Sequence, residues 1–418
     1  MSRFLAVFLP SAPLARGDWL TPERIRRIGI VFAVMALLVL GGNAWLRTTH
    51  GVTDADGLQL GGDFINYWAG AHPAADGQAT RVYDIHGFLD YQRSHTAPNA
   101  DFKWYSYPPT ALVLSLPLAA LDFVPALVFW LVSGIAICAV LLARSLEWRV
   151  ALLAAFATPA SLLNALAGQN GQFTAALLCG GILFLQRRPW LAGALFGMLC
   201  FKPHLAILIP VALAADGRWR TFAAAGLTAL AICGSAFLLG PDVWAAFLKN
   251  APLNAGLLEI GKTMWHGMPT AFSAVRLAGG GIAAAYAVQA VSAILATLLT
   301  VAVWRGRATI AVKGSALIVA TFLVTPYAWD YDLVALTFAA VWLSTEAART
   351  GFRPWEKTVL ASIIVMPLIS LRLAHATHVQ IAPLMLWTMM ALIARRALDH
   401  CAQQDQGRKG AKASGPSV

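Results

Sequence analysis

Charged residues are scarce in this chain: Asp, Glu, Lys and Arg together make up 12% of its 418 residues. Soluble domains carry about 25% charged residues, so the chain lacks the charge needed to cover a water-facing surface of its size. Apolar residues account for 58% of the sequence, and the mean hydropathy is +0.65. The composition excludes a soluble enzyme and predicts an all-α polytopic membrane protein, with one membrane domain over residues 25–396.

Cysteine is rare as well, and its spacing matches no metal-binding pattern. Four of the cysteines lie inside apolar segments, where a thiol usually packs as a small apolar group. The sequence also lacks a Walker loop, a dinucleotide-binding fingerprint, a zinc signature and a Ser-His-Asp spacing. We therefore expect no disulfide, no metal and no cofactor. The cysteines are Cys138, Cys179, Cys200, Cys233 and Cys401.

The net charge of +11 comes from small basic groups between the apolar segments, such as Arg24/Arg26/Arg27 and Arg187/Arg188. If these groups and both termini lie on one side, that side holds 22 of the 31 basic and 8 of the 20 acidic residues. Its charge is then +14, against −3 for the other side. By the positive-inside rule both termini are cytoplasmic. The charge pattern therefore predicts membrane lipids, and no nucleic acid, as partners.

Twelve apolar segments separate the basic groups, which agrees with two cytoplasmic termini. Segments 189–201 and 204–215 are short for about 30 Å of hydrocarbon, and they form either two crossings or a re-entrant pair that meets at Lys202-Pro203. The predicted crossings are 25–46, 123–143, 150–167, 173–186, 189–201, 204–215, 221–239, 282–304, 314–326, 333–348, 357–373 and 380–396.

The remaining residues form two tails and two long outer loops. Residues 1–24 are predicted to be a cytoplasmic arm, and the polar residues 397–418 a disordered cytoplasmic tail. The outer loops 47–107 and 240–281 are long enough to build a binding site, whereas the other outer turns are tight. We expect an active site on this extracytoplasmic face.

Asp63 is the first candidate catalytic residue. It follows Gly61 and Gly62, which have no side chains to shield it, and it lies shortly after the first crossing. A carboxylate at the outer membrane face can act as a general base. Local sequence alone favours a different interpretation, in which Asp63 caps the helix that begins at residue 64.

Lys202 is a cation in an otherwise apolar stretch, where it needs a partner or access to water. A phosphate is the partner we predict, because a point cation and the free amides of a broken helix both attract it. The alternative is a lysine that snorkels to the membrane interface. His204 is a second candidate for this role, and Arg276 of the second outer loop can also clamp a phosphate.

Polar and aromatic residues at two outer turns predict a carbohydrate site. Residues 168–172 (GQNGQ) form a tight turn whose amides can bind sugar hydroxyls, although a plain polar turn explains it equally well. Residues 325–332 (TPYAWDYD) place acids beside aromatic rings that can stack on sugars, but such rings are also routine at membrane interfaces. The predicted sugar- or acceptor-binding residues are Tyr67, Tyr107, Gln169, Asn170, Trp329, Asp330 and Asp332.

A set of features, in this order along the chain, resembles a known family. They are Asp63, Tyr83 with residues 107–109 (YPP), residues 168–170, Lys202-Pro203, and residues 326–330 (PYAWD). Over roughly residues 60–345 the chain is similar to the bacterial DUF2029 proteins, which are glycosyltransferase family 87. The resemblance implies the GT-C membrane fold and puts Asp63 at the position of the base. Some members have a histidine near residues 330–332, which this chain lacks.

The resemblance implies an enzyme of the bacterial inner (plasma) membrane. It would move a hexose, typically mannose, from a polyprenyl-phosphate donor to an extracytoplasmic glycan or lipid acceptor. The residues agree, because a lipid-linked donor needs a cation for its phosphate and a carboxylate facing the acceptor hydroxyl. A single displacement of this kind inverts the anomeric centre. The alternative function is a polytopic transporter or flippase of lipid-linked sugars, although the 189–215 pair has no matched second copy.

Overall fold

The computed structural model describes residues 12–261 and 264–413. Apart from one isolated bridge between Thr53 and Gln59, these residues form helices, turns and irregular segments. Helices suit a membrane because each backbone N–H and C=O is satisfied within its own segment. The all-α prediction is confirmed for the described residues.

We number the α-helices in chain order. They are α1 (Pro13–Arg16), α2 (Pro22–Leu46), α3 (Phe64–Ala75), α4 (Ile85–His95), α5 (Pro109–Ser115), α6 (Phe123–Leu142), α7 (Trp148–Phe156), α8 (Pro159–Ala167), α9 (Gly171–Phe184), α10 (Pro189–Met198), α11 (Pro203–Ala206), α12 (Leu208–Ala215), α13 (Trp219–Ser235), α14 (Val243–Glu259), α15 (Ala271–Leu277), α16 (Ile282–Arg305), α17 (Ile310–Val324), α18 (Ala335–Thr350), α19 (Glu356–Thr377) and α20 (Ala382–Ala413). Short 3-10 helices lie at Ala79–Tyr83, Leu116–Ala120, Leu199–Phe201, Ala236–Leu239, Trp265–Gly267 and Asp330–Val334.

Five of the described helices are long and apolar enough to cross a membrane, namely α2, α6, α13 with its continuation to Leu239, α16 and α19. Helices α7 and α8 meet at 55° and make a sixth if the bent pair is one span. The predicted crossings 173–186, 189–201, 204–215 and 314–326 correspond to apolar helices of 10–17 residues. Because a helix of 17 residues is only about 26 Å long, the count of twelve crossings is not confirmed.

The outermost helices carry an apolar surface that suits lipid. In α2, Ala36 is buried, whereas Val34, Leu37 and Leu38 are more than half exposed. Leu230 of α13 is also largely exposed. Apolar surface of this extent is stable against hydrocarbon and unusual against water, which supports a membrane protein.

Helix α17 lies at the centre of the bundle. Its residues from Val312 to Leu323 are all buried, and it contacts α9, α12, α16, α18 and α20. A helix that is apolar all round is one enclosed by others. It therefore serves as a core helix whatever its position in the membrane.

The predicted first outer loop, residues 47–107, folds back onto this bundle. It contains α3 and α4, and α3 packs against α5 and the 3-10 helix Leu116–Ala120. The 3-10 helix Asp330–Val334, which follows α17, lies against α8 and α9. The Asp63 N–H of the first loop donates to the carbonyl oxygen of Ala167 at the end of α8, so the first loop lies beside the turns near residues 170 and 330.

The start of the described chain and the middle of α20 both contact the start of α19. In the predicted arm, Leu14 accepts a hydrogen bond of 2.6 Å from the Thr358 hydroxyl near the start of α19; residues 1–11 lie outside the described part. Helix α20 is tied to the same region by an ion pair between the buried Arg396 and Glu356. That both termini are cytoplasmic stays a prediction of the charge pattern.

Helix α20 also continues past the predicted membrane domain. It reaches Ala413, so it covers most of the segment for which the composition predicts a disordered tail. Alanine, glutamine, lysine and arginine are frequent there, and all of them have high helix propensity. Residues 414–418 lie outside the described part.

Candidate active site

Asp63 is placed by a close approach of two backbone segments. Its N–H donates to the carbonyl oxygen of Ala167, the last residue of α8, at 2.9 Å. The next residue, Gly168, has φ of +58°, and a Cβ there would lie 1.9 Å from the carbonyl oxygen of Gly61. Only glycine permits both the conformation and the contact. The first loop is therefore fixed directly against the turn that follows α8.

The carboxylate of Asp63 does not cap the helix that it precedes. Asp63 occupies the N-cap position of α3, but its side chain accepts no hydrogen bond from the helix backbone. Instead, Oδ2 accepts one from Gln169 Nε2 at 2.9 Å, and the side chain is 36% exposed. The capping interpretation that local sequence favours is thus wrong about the contacts, because a tertiary partner takes the carboxylate.

A chain of hydrogen bonds connects Lys202 with Asp63. Lys202 Nζ donates to Asn170 Oδ1 at 3.0 Å, and Asn170 Nδ2 donates to the Tyr67 hydroxyl at 2.8 Å. Tyr67 in turn donates to Gln169 Oε1 at 2.6 Å, and Gln169 donates to Asp63. Each group accepts from the one before it and donates to the next. The cation at one end and the carboxylate at the other therefore set the orientation of every side chain between them.

Tyr107 joins this chain from the side. Its hydroxyl lies 2.6 Å from that of Tyr67 and 3.0 Å from Gln169 Oε1. Both phenols belong to the first loop, outside the spanning segments, and burial raises the pKa of each well above its ordinary value. They remain protonated at physiological pH, so both keep a hydrogen to donate. The Tyr67 ring also stacks on Trp130, with centroids 4.9 Å apart, which holds it in place.

Lys202 forms an ion pair that we did not predict. Its Nζ lies 2.5 Å from Asp332 Oδ1, and the two side chains are 2% and 0% exposed. The other oxygen of Asp332 accepts the Trp329 N–H at 3.1 Å, so both carboxylate oxygens are bound. In this structure Asp332 holds the place that we predicted for a phosphate. The sequence held one sign of this pair: Asp332 is an acidic residue beside another apolar segment, and ionisable residues inside membranes usually pair with a residue of opposite charge.

The residues around Asp332 include aromatic rings of the segment 325–332, which we predicted to stack on a sugar. The half-buried rings of Trp329 and Tyr331 lie 5.6 Å apart and nearly parallel, at 7°. Between them in sequence, Asp330 is buried, and its Oδ1 has no hydrogen-bond partner among the described residues. Burial, and then the charge of Asp332, raises the pKa of Asp330 well above its usual range. This shift favours the protonated form of Asp330, in which the carboxyl group can donate a hydrogen bond as well as accept one.

The two other predicted phosphate ligands lie in different surroundings. The imidazole of His204 meets the Tyr327 ring edge-on at 5.4 Å. Arg276 donates to the carbonyl oxygens of Gly280 at 2.7 Å and Glu259 at 3.1 Å, and its guanidinium lies over Trp265 at 4.6 Å. Arg276 thus belongs to the second loop, whose apolar cluster also packs against Tyr327 and Trp329.

Lys103 is a cation beside Asp63 that sequence reasoning missed. Its Nζ lies 3.8 Å from Asp63 Oδ1 and 3.2 Å from Asp101 Oδ2, and its side chain is 24% exposed. A lysine in a polar loop is common and gives no signal by itself. Its aromatic neighbours Phe102 and Trp104 were the available hint that the segment packs against the protein.

Residues 105–326, slightly more than half of the chain, match the sequence model of glycosyltransferase family 87. The chain belongs to glycosyltransferase family 87. The resemblance is confirmed, and the protein is a membrane glycosyltransferase rather than the transporter or flippase of the alternative interpretation. No curated protein and no solved structure matches the chain.

The region that matches glycosyltransferase family 87 supplies the middle of the hydrogen-bonded chain. Tyr107, Gln169 and Lys202 lie inside it, whereas Asp63 precedes it and Asp332 follows it. The hydrogen bonds and the ion pair join all five into one cluster. The candidate active site of this glycosyltransferase is therefore assembled from five separate parts of the sequence.

Proposed function

We propose that this member of glycosyltransferase family 87 transfers a hexose from a polyprenyl-phosphate donor to a hydroxyl of an extracytoplasmic glycan or lipid, and that mannose is the first sugar to test. Family membership supports glycosyl transfer. The observation that carries the residue assignment is the geometry of Asp63. It is a partly exposed carboxylate with Oδ2 held by Gln169, while Oδ1 has no closer partner than Lys103 at 3.8 Å among the described residues.

In the proposed reaction Asp63 accepts the proton of the acceptor hydroxyl. The acceptor oxygen forms a bond to the anomeric carbon, while the bond from that carbon to the phosphate oxygen breaks and the phosphate keeps the electron pair. Attack and departure occur on opposite faces of the sugar, so the anomeric configuration inverts. The chain from Lys202 to Gln169 supports this role, because it holds one oxygen of the base in a single orientation.

The extracytoplasmic side and the lipid-linked donor belong to the same proposal. The charge partition along the sequence favours an outer position for residues 47–107, which include Asp63. Nucleotide sugars are absent from that side, so a donor must arrive on a lipid. The parallel rings of Trp329 and Tyr331 offer a surface against which the sugar can stack.

The test is transfer of labelled mannose from polyprenyl-phosphate mannose by the full-length protein, purified in detergent without an ion gradient. Asp63→Asn should fold normally, because asparagine has the same shape and keeps an oxygen that accepts from Gln169. Its turnover should fall by about 10²–10⁴, the usual contribution of a general base. Near-normal turnover would remove Asp63 as the base.

Asp90→Asn is the matched control, because Asp90 is an exposed carboxylate on α4 of the same loop. This variant should transfer sugar at the wild-type rate. If the wild-type protein transfers neither mannose nor any other hexose from polyprenyl phosphate, the proposed donor class is wrong.

A further inference from the structure

We propose that Lys103, and not the buried Lys202, is the cation that binds the phosphate of the sugar donor. The inference rests on the proposed function, since it names a ligand of the same donor at the same site. It follows from the different states of the two lysines and from the way in which the segment around Lys103 is held.

Lys202 is already neutralised inside the protein. Its ammonium is shared between Asp332 Oδ1 at 2.5 Å and Asn170 Oδ1 at 3.0 Å, and it faces the Tyr331 ring at 5.3 Å. With the side chain 2% exposed, a phosphate would have to displace a buried carboxylate to reach it. That exchange would leave Asp332 as an uncompensated charge, which is strongly unfavourable.

Lys103 has the opposite properties. Its ammonium is partly exposed, and its ion-pair partners among the described residues are two partly exposed carboxylates, those of Asp63 at 3.8 Å and Asp101 at 3.2 Å. Ion pairs of this kind are weak and exchange easily. A lysine is a point cation on a flexible stem of four carbons, so Lys103 can leave Asp63 and follow a phosphate on the opposite face of the sugar.

The backbone of Lys103, in contrast to its side chain, is firmly held. The fully buried Gln92 accepts the Lys103 N–H at 3.1 Å and donates to the Lys103 carbonyl oxygen at 2.9 Å. One residue later, Asn66 of α3 donates to the Trp104 carbonyl oxygen at 3.2 Å. Asn66 and Asp63 lie within one turn of each other, so these bonds fix the backbone of Lys103 relative to the proposed base.

The chemistry of the donor explains why a cation is needed at this point. A sugar linked through a phosphodiester carries one negative charge, and the leaving lipid phosphate acquires a second as its bond to the anomeric carbon breaks. An ammonium beside that oxygen stabilises the transition state more than the ground state.

The experiment measures equilibrium binding of farnesyl phosphate, with farnesol as the uncharged comparison, to the full-length protein in detergent. Lys103→Met should weaken farnesyl phosphate binding by about ten- to a hundredfold, the usual effect of losing a charge-assisted contact, and should leave farnesol binding unchanged. Lys103→Arg should restore most of the affinity. Asp63→Asn, which removes a competitor for Lys103, should bind farnesyl phosphate at least as tightly as the wild type.

Lys249→Met is the matched control, because Lys249 is an exposed lysine of the second loop; its affinity should equal that of the wild type. Wild-type affinity in Lys103→Met would overturn the inference and leave the proposed function intact, since binding is measured without transfer. A wild-type protein that binds farnesyl phosphate no better than farnesol would overturn both.

Discussion

Removal of the charge on Lys202 should reduce the stability of the protein. In Lys202→Met the carboxylate of Asp332, which is 0% exposed, loses its cation. Asn170 Oδ1 loses the ammonium at 3.0 Å and keeps the more distant hydroxyl of Thr174 at 3.4 Å. Loss of one partner from a buried ion pair usually lowers the free energy of unfolding by about 3–5 kcal/mol. Methionine fits the apolar surroundings but restores neither contact, so we expect a loss within this range.

A thiol-reactive dye can measure the loss during heating in detergent, because the chain contains the buried thiols Cys138 and Cys179. These react only when the helices around them open. Lys202→Met should shift the apparent melting temperature down by several degrees. The double variant Lys202→Met/Asp332→Leu, which removes both charges, should melt closer to the wild type than Lys202→Met does, since an apolar pair can replace a buried ion pair.

The exposed Lys249 again provides the control, and Lys249→Met should melt at the wild-type temperature. If Lys202→Met also melts at the wild-type temperature, the buried ion pair does not contribute to the stability of the protein. If the double variant is less stable than Lys202→Met, the two charges are not coupled.

Two further predictions concern the backbone contact and the orientation. Gly168→Ala should lower both turnover and melting temperature, because its Cβ would lie 1.9 Å from the Gly61 carbonyl oxygen and push Asp63 away. Gly217→Ala is the control, because Gly217 has a similar φ of +66° but open space around it. This variant tests the backbone strain alone and should keep near-normal turnover. A cysteine at Ala75 should react with an impermeant thiol reagent added to intact cells and one at Gly407 should not, whereas labelling at Gly407 would reverse the proposed orientation.

Sequence reasoning found residues with unusual surroundings but not their partners. Lys202 attracts attention as a cation among apolar residues, and Gln169 as an amide in a tight turn. Their contacts depend on the packing of distant segments, since 130 residues separate Lys202 from Asp332 and 106 separate Asp63 from Gln169. For the same reason the local capping rule is wrong for Asp63. Its carboxylate accepts a hydrogen bond from Gln169, which lies outside the local sequence pattern.

The fold shows a similar limit. Composition establishes the all-helical membrane class, because few charges and long apolar segments leave no alternative. Hydropathy does not distinguish a crossing from a helix such as α17, which is apolar because other helices surround it. The predicted number of crossings therefore exceeds the number of long apolar helices that the described residues contain.

The ion pair between Lys202 and Asp332 also constrains the synthesis of the protein. Translation at about 5–20 residues per second delivers Asp332 roughly 7–26 s after Lys202, which precedes it by 130 residues. During that interval the ammonium must remain near water or accept a penalty of about 2.5–3.5 kcal/mol in the bilayer. A chain that ends before Asp332 never obtains its counter-ion. Truncated products of this gene should therefore be unstable in the membrane and open to degradation, even when they contain the whole of the first loop and its proposed base.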